Sequence, residues 1–236
     1  MLNRSRHENI MNRIVHDIYT HPQLRSLLGF KGGTACYFLY NLPRFSTDLD
    51  FNLLDVTQSD LVFETIQRIV EQYGTMRQSY QKRFTIFSLL SYEIGSQTIK
   101  VEISKRAFEQ NRYSTQYYLG IPILVLEKPF LTAHKFATIL DRRKIMNRDL
   151  FDAHFFLKEN WPIDAATIRL RTGKNLPDYF IYLADTLEKH GSQDILQGIG
   201  ELITEKQKAW VKTKLLPDLL FYLRSYSASL KRNETD

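Results

Sequence analysis

Between Arg44 and Leu53 the chain alternates, with Phe45, Thr47, Leu49, Phe51 and Leu53 on one set of positions and Arg44, Ser46, Asp48, Asp50 and Asn52 on the other. A period of two is the signature of an extended strand, whose successive side chains point to opposite faces. The first set is nearly all apolar and needs a core beneath it. The second places two carboxylates about 7 Å apart along one surface. Like charges at that spacing repel unless a cation stands between them. Mg²⁺, or Mn²⁺ in its place, is a hard cation that takes carboxylate and phosphate oxygens. An Asp-x-Asp segment alone is equally the solvated face of an ordinary strand, so its neighbours decide.

Upstream, Gly32-Gly33-Thr34 follows an apolar segment and precedes a short helix predicted over 35–42 and ended by Pro43. Glycines let backbone N–H groups turn toward a ligand, and a helix N-terminus adds partial positive charge. The Thr34 hydroxyl either donates to phosphate or caps the helix. Downstream, Ile99, Val101 and Ile103 share one face of a predicted strand, and Lys100 and Glu102 share the other. Glu102 becomes a third carboxylate of the site if this strand pairs with the one carrying Asp48 and Asp50. Otherwise it is an exposed glutamate beside a lysine.

The surrounding pattern predicts an α+β fold: a small mixed β-sheet core flanked by helices over residues 1–126, followed by a helical C-terminal bundle over 127–236. Helical spacing marks 8–19, a short segment after Pro22, and 60–73 stopped by Gly74. Strand-like runs fall at 84–94 and 98–104, joined by a hairpin turn at Gly95-Ser96-Gln97, and at 121–126. Helices are predicted near 130–142, 148–159, 176–190, 193–209 and 213–231. With 43% hydrophobic residues in 236, a core needs no disulfide, and the single Cys36 cannot form an internal one. No window approaches the roughly 18 apolar residues of a membrane span, and the first residues lack a signal peptide's apolar run. A cytoplasmic protein without membrane contact is expected. The net charge of +6 permits a polyanionic partner.

Lys31-Gly-Gly-Thr-Ala35, then Arg44-x-Ser46-x-Asp48-Leu49-Asp50-Phe51, together with Lys135 and Arg148-Asp149-x-x-Asp152, closely resembles the AbiEii/AbiGii family of nucleotidyltransferase toxins, within the DNA polymerase β-like superfamily. The resemblance covers roughly residues 28–157. It implies Gly32, Gly33 and Thr34 as the nucleotide-phosphate loop, with Arg44 and Ser46 beside it. It implies Asp48 and Asp50 as ligands of Mg²⁺, with Glu102 at a third-carboxylate position where Asp is also common. Lys135 matches a basic helix residue that contacts phosphate, and Asp149 and Asp152 match the acidic motif after it, both brought to the cleft by the helical domain.

Helical geometry sets Ala133, Phe136, Ala137 and Leu140 on an apolar stripe and Lys135 opposite it, free for an external anion or simply solvated. Asp149 and Asp152 share a face by their i, i+3 spacing. Asp149, after a predicted cap at Asn147, also suits the helix dipole.

The implied activity is transfer of a nucleoside monophosphate from an NTP to an acceptor hydroxyl. RNA, and the 3′ end of tRNA first, is the implied acceptor, and the implied setting is a toxin–antitoxin or abortive-infection system with a protein antitoxin. Two other readings stay open: transfer to a protein or small-molecule acceptor, and a non-catalytic nucleotide-binding module. Basic clusters at Lys82-Arg83, Lys105-Arg106, Arg142-Arg143-Lys144 and Arg148 can track an RNA backbone or be solvated faces. Phe84, Phe108, Tyr113, Tyr117 and Tyr118 can stack on bases or belong to the core.

Overall fold

A computed structural model describes residues 3–93, 98–191 and 194–233, so the predicted hairpin turn at Gly95-Ser96-Gln97 lies outside the described residues. The chain divides into two compact units, Met1–Glu127 and Lys128–Asp236.

In the first unit the order is α1 (Arg4–Thr20), β1 (Leu28–Lys31), α2 (Gly32–Tyr40), β2 (Asp48–Leu53), α3 (Ser59–Glu71), β3 (Thr75–Gln81), β4 (Thr85–Ser91), β5 (Thr98–Ser104), β6 (Tyr113–Tyr118) and β7 (Ile121–Leu126). The seven strands form one mixed sheet in the order β3-β4-β5-β2-β1-β7-β6. The β2–β5 and β1–β7 pairs are parallel and the other pairs antiparallel. Leu49 and Phe51 of β2, Ile99, Val101 and Ile103 of β5, Ile86 and Leu90 of β4 and Phe30 of β1 are all buried. With them are buried Met11, Ile14, Val15 and Ile18 of α1 and Val62, Ile66, Ile69 and Val70 of α3. Both helices recur at helical spacing, so each presents one apolar stripe to the sheet. Burying a large aliphatic side chain in this way contributes about 1.5–3 kcal/mol.

Several elements depart from the sequence reading. After Pro22 there is a series of turns and then strand β1, with no helix. β2 starts at Asp48, because Arg44 and Ser46 fold inward against α2 and leave no extended ladder there. The edge strands β3 and β6 carry the polar sequences TMRQSYQ and YSTQYY and little buried surface, so they lack the alternation that marks a half-buried strand.

The second unit holds α4 (Lys128–Asp141), α5 (Asn147–Lys158), α6 (Ala165–Thr172), α7 (Leu176–His190), α8 (Glu205–Trp210) and α9 (Leu216–Asn233). Its core brings together Phe136, Leu150, Leu157, Ile168, Tyr179, Phe180, Leu183, Leu215, Leu219 and Leu223. Asp164 and Asn175 cap α6 and α7 by accepting from the N–H groups of Thr167 and Asp178. Where a helix over 193–209 is predicted, the described residues 194–209 form a stretch of turns, a 3₁₀ turn at Gly200–Leu202 and the six-residue α8. A π-helical turn at Val211–Leu215 leads into α9. Among the described residues no helix is long and apolar enough to cross a membrane.

His154 on α5 is packed between Trp210 and Tyr222, with ring centroids 4.7 and 5.5 Å away. Burial pushes its imidazole down to about 4 from the usual 6.5. A histidine depressed in the folded state favours folding fully above its unfolded value. That advantage is lost as pH falls from about 6.5 toward 4, because the unfolded chain takes up the proton first. Thermal melts of His154→Phe between pH 7.5 and 4.5 are therefore expected to decline less steeply than those of the wild type. Parallel declines would remove His154 from the acid response.

Candidate active site

Strands β2 and β5 run in parallel with a register that sets Asp48 against Lys100 and Asp50 against Glu102. On the other flank β1 is antiparallel and sets Lys31 against Asp50. Paired residues share a face, so Lys31, Asp48, Asp50, Lys100 and Glu102 crowd one patch on the face opposite Leu49 and Phe51. Glu102 thus lies beside Asp50 on the same face.

The Lys100 ammonium sits among these carboxylates, with Nζ 3.2 Å from Glu102 Oε2 and 3.5 Å from Asp48 Oδ2. Burial works against its charge, but Asp50, Asp48 and Glu102 outweigh it and hold Lys100 above the ordinary lysine value. Burial pushes the Asp50 carboxyl up; Lys100 and Lys31 pull it down while Asp48 and Glu102 add to the rise. The donor set is all carboxylate oxygen, which suits a hard divalent cation. The oxygens are arranged around Lys100, and among the described residues no three carboxylate, imidazole or thiol groups converge into a ready-made metal centre. The donor chemistry fits a divalent cation, which would have to take the place of the Lys100 ammonium.

Glycines make room for this cluster. Gly32 has φ +79°, and a Cβ there would stand 2.6 Å from Asp50 Oδ2. Both the backbone conformation and the close carboxylate require glycine. At Gly33 a Cβ would meet Arg44 Nη2 at 2.6 Å and Ser46 Oγ at 3.0 Å. Helix α2 begins at Gly32, with Lys31 as an N-cap that makes no side-chain capping bond. Its first-turn N–H groups therefore lie beside Asp50.

Thr34, Arg44 and Ser46 were expected at the phosphate, and the structure turns them inward. Thr34 is fully buried; its hydroxyl donates to the Asp48 carbonyl and lies 2.9 Å from Ser46 Oγ. Arg44 is buried and its Nη1 donates to the Phe45 carbonyl at 3.0 Å. These groups brace the glycine turn against the start of β2, so Thr34 neither caps α2 nor offers its hydroxyl to a ligand. His7 adds a further brace, with Nε2 3.0 Å from the Thr47 carbonyl and Nδ1 2.7 Å from the Tyr92 hydroxyl.

In the helical unit Lys135 is not free, as the helical wheel suggested. Its Nζ lies 2.8 Å from Asp149 Oδ1 and 2.9 Å from Asp152 Oδ2, with the two aspartates almost wholly buried. Arg142 Nε approaches Asp149 Oδ2 at 3.6 Å. The i, i+3 spacing does bring both carboxylates to one face, where they share the lysine. Asn147 is the first residue of α5 and Met146 its N-cap; the Asn147 amide donates instead to the carbonyls of Asp194 and Gln197.

The family model described as the nucleotidyl transferase AbiEii toxin of type IV toxin–antitoxin systems matches residues 13–210. This chain belongs to the AbiEii nucleotidyltransferase toxin family. Among solved structures, the AbiEii chain is similar to JHP933 from Helicobacter pylori, at 20% identity over 99% of each chain with TM-score 0.58. A second Helicobacter pylori crystal structure gives 20% identity over 98% of each chain and TM-score 0.60. MenT4, a nucleotidyltransferase toxin from Mycobacterium tuberculosis, gives 19% identity over 92% of this chain and 83% of that one, with TM-score 0.55. At these identities the likeness is one of fold. A search of curated proteins finds no match.

Two charged groups of this patch escaped the sequence reading. Lys100 registered only as the neighbour of Glu102, although its period-two spacing already placed it on the working face. Lys31 was noticed only as the start of the glycine motif, because nothing local marks 28–31 as a strand pairing with 50–53.

Proposed function

We propose that this toxin transfers a nucleoside monophosphate from an NTP to the 3′ end of an RNA, tRNA first, as one half of a cytoplasmic toxin–antitoxin or abortive-infection pair restrained by an antitoxin protein. The observation that carries the reading is the Asp48–Asp50–Glu102 row across two parallel strands, beside a glycine turn that opens a helix. In this reading the first-turn N–H groups of α2 at Gly32 and Gly33 receive the triphosphate.

Asp48, Asp50 and Glu102 would hold Mg²⁺, which when bound lowers the charge of the triphosphate and polarises its phosphorus. The acceptor oxygen bonds to the α-phosphorus as the bond to the bridging oxygen breaks and pyrophosphate leaves. The hydroxyl proton passes to a carboxylate of the row, Asp50 or Glu102. Lys100, which now pairs with Asp48 and Glu102, would supply a positive charge toward the departing pyrophosphate. In the helical unit Lys135, its ammonium held between Asp149 and Asp152, is a candidate anion contact.

Incubation with each α-labelled NTP, Mg²⁺ and total RNA tests the proposal. Label on tRNA is expected. Label on protein or small molecules would move the acceptor to another class, and NTP binding without any label would leave a nucleotide-binding module.

A further inference from the structure

The strand registers align Asp50 on β2, Glu102 on β5, Phe87 on β4 and Tyr80 on β3 in a single row across the sheet. Neighbouring strands are about 4.8 Å apart, so Phe87 stands one strand from Glu102 and Tyr80 two. The row lies on the face away from α3: Ser79 and Gln81, on either side of Tyr80, bond to Gln67 and Asp60 of that helix. Along β4 the helix-facing Ile86, Ser88 and Leu90 are buried, while Thr85, Phe87 and Leu89 are partly exposed.

The Phe87 and Tyr80 rings are stacked, with centroids 4.8 Å apart and planes within 9°. The Lys82 ammonium lies 4.6 Å from the Tyr80 ring centroid. At the same strand ends Phe84 is exposed between two guanidinium groups, Arg83 at 4.9 Å and Arg106 at 5.3 Å from its centroid. Lys105 follows β5, its N–H donating to the Phe84 carbonyl. A partly open aromatic surface bordered by Lys82, Arg83 and Arg106 and running directly into the carboxylate row matches an unpaired nucleic-acid strand: each base offers a π-face and each phosphate a charge.

We propose that the Phe87–Tyr80 platform binds single-stranded RNA, stacking its bases while Lys82, Arg83 and Arg106 hold its backbone. This rests on the transferase reading only in calling that strand the acceptor. The glycine turn lies on the β1 side of Asp50 and the platform on the β5–β4–β3 side, so donor triphosphate and acceptor strand approach the row from opposite flanks. The cations reach from Tyr80 to Phe84, three residues or about 10 Å from Phe87 along the strand. That length suits successive nucleotides better than the base of one NTP.

The test is fluorescence anisotropy of a 5′-labelled single-stranded RNA decamer with the full chain in EDTA and without NTP, beside calorimetric titration of NTP. Phe87→Ala, Phe87→Leu and Tyr80→Ala are each expected to weaken RNA binding at least fivefold. Phe87→Tyr should keep it, and NTP affinity should stay within twofold throughout. Phe87→Leu preserves apolar bulk, so it reports on the ring where the alanine variant disturbs folding. Undiminished RNA binding by Phe87→Leu, no RNA binding by the wild type, or an equal loss of NTP affinity would overturn the proposal. Because no transfer is read, RNA bound at the platform but left unmodified would count against the transferase reading alone.

Discussion

Asp48→Asn and Asp50→Asn are each expected to lower nucleotidyl transfer by about a thousandfold or more while the chain stays folded. A carboxylate that helps hold a metal ion at a reacting phosphate supplies several kcal/mol of charge stabilisation, and about 1.4 kcal/mol corresponds to tenfold in rate. The amide keeps the shape and removes the charge. In Asp48→Asn, Lys100 retains Glu102 at 3.2 Å, so the local charge balance survives. In Asp50→Asn the sign is favourable to stability. A carboxyl held above its usual value in the folded state stabilises only when protonated, and this contribution is lost as pH rises through the raised value. At pH 7.5 the neutral amide removes that cost, so the melting temperature should be no lower than the wild type's. Incorporation of α-labelled nucleotide alongside thermal melts checks both halves, and undiminished transfer by either variant would remove the carboxylate row from the chemistry.

The other large effect is on stability. Lys135→Met leaves Asp149 and Asp152, 2% and 0% exposed, facing one another without the ammonium they share. Removing one partner of a buried ion pair costs about 3–5 kcal/mol. At about 2–4 °C per kcal/mol for a chain of this size, the melting temperature of the chain should fall by about 6–20 °C. Changing both aspartates to asparagine in the same variant should return most of the loss, since no uncompensated charge is then left inside. A fall of less than 2 °C would show that the triad is energetically slack. Activity measured on Lys135 variants has to be compared at a temperature where the helical unit is still folded.

How much of this was legible beforehand follows from where the physics is local. The Asp48-Leu49-Asp50-Phe51 alternation announces its own two faces, and the pairing of β2 with β5 then places Glu102 without further information. Helices α1, α3 and α7 carry stripes strong enough to read. The edge strands β3 and β6 are held by ladder hydrogen bonds that polar residues make as well as apolar ones, so composition concealed them. Thr34 and Ser46 look like ligand contacts in sequence because hydroxyls suit phosphate. Only the inward fold of 44–47 shows that they lie against each other, with the Thr34 hydroxyl donating to the Asp48 carbonyl. Lys135 misled for a related reason: a residue opposite one apolar stripe can still be covered by a second helix, here α5.

The parallel pairing of β2 with β5 has a consequence for biosynthesis. Asp50 and Glu102 come from segments about fifty residues apart, with α3 and two further strands emerging between them. Non-local pairing of this kind forms late, because loop closure must precede any contact energy. A polypeptide still on the ribosome, with β5 inside the exit tunnel, already displays the glycine turn and both aspartates but lacks the opposing glutamate. Until β5 emerges, β2 lacks the parallel partner that sets Glu102 beside Asp50.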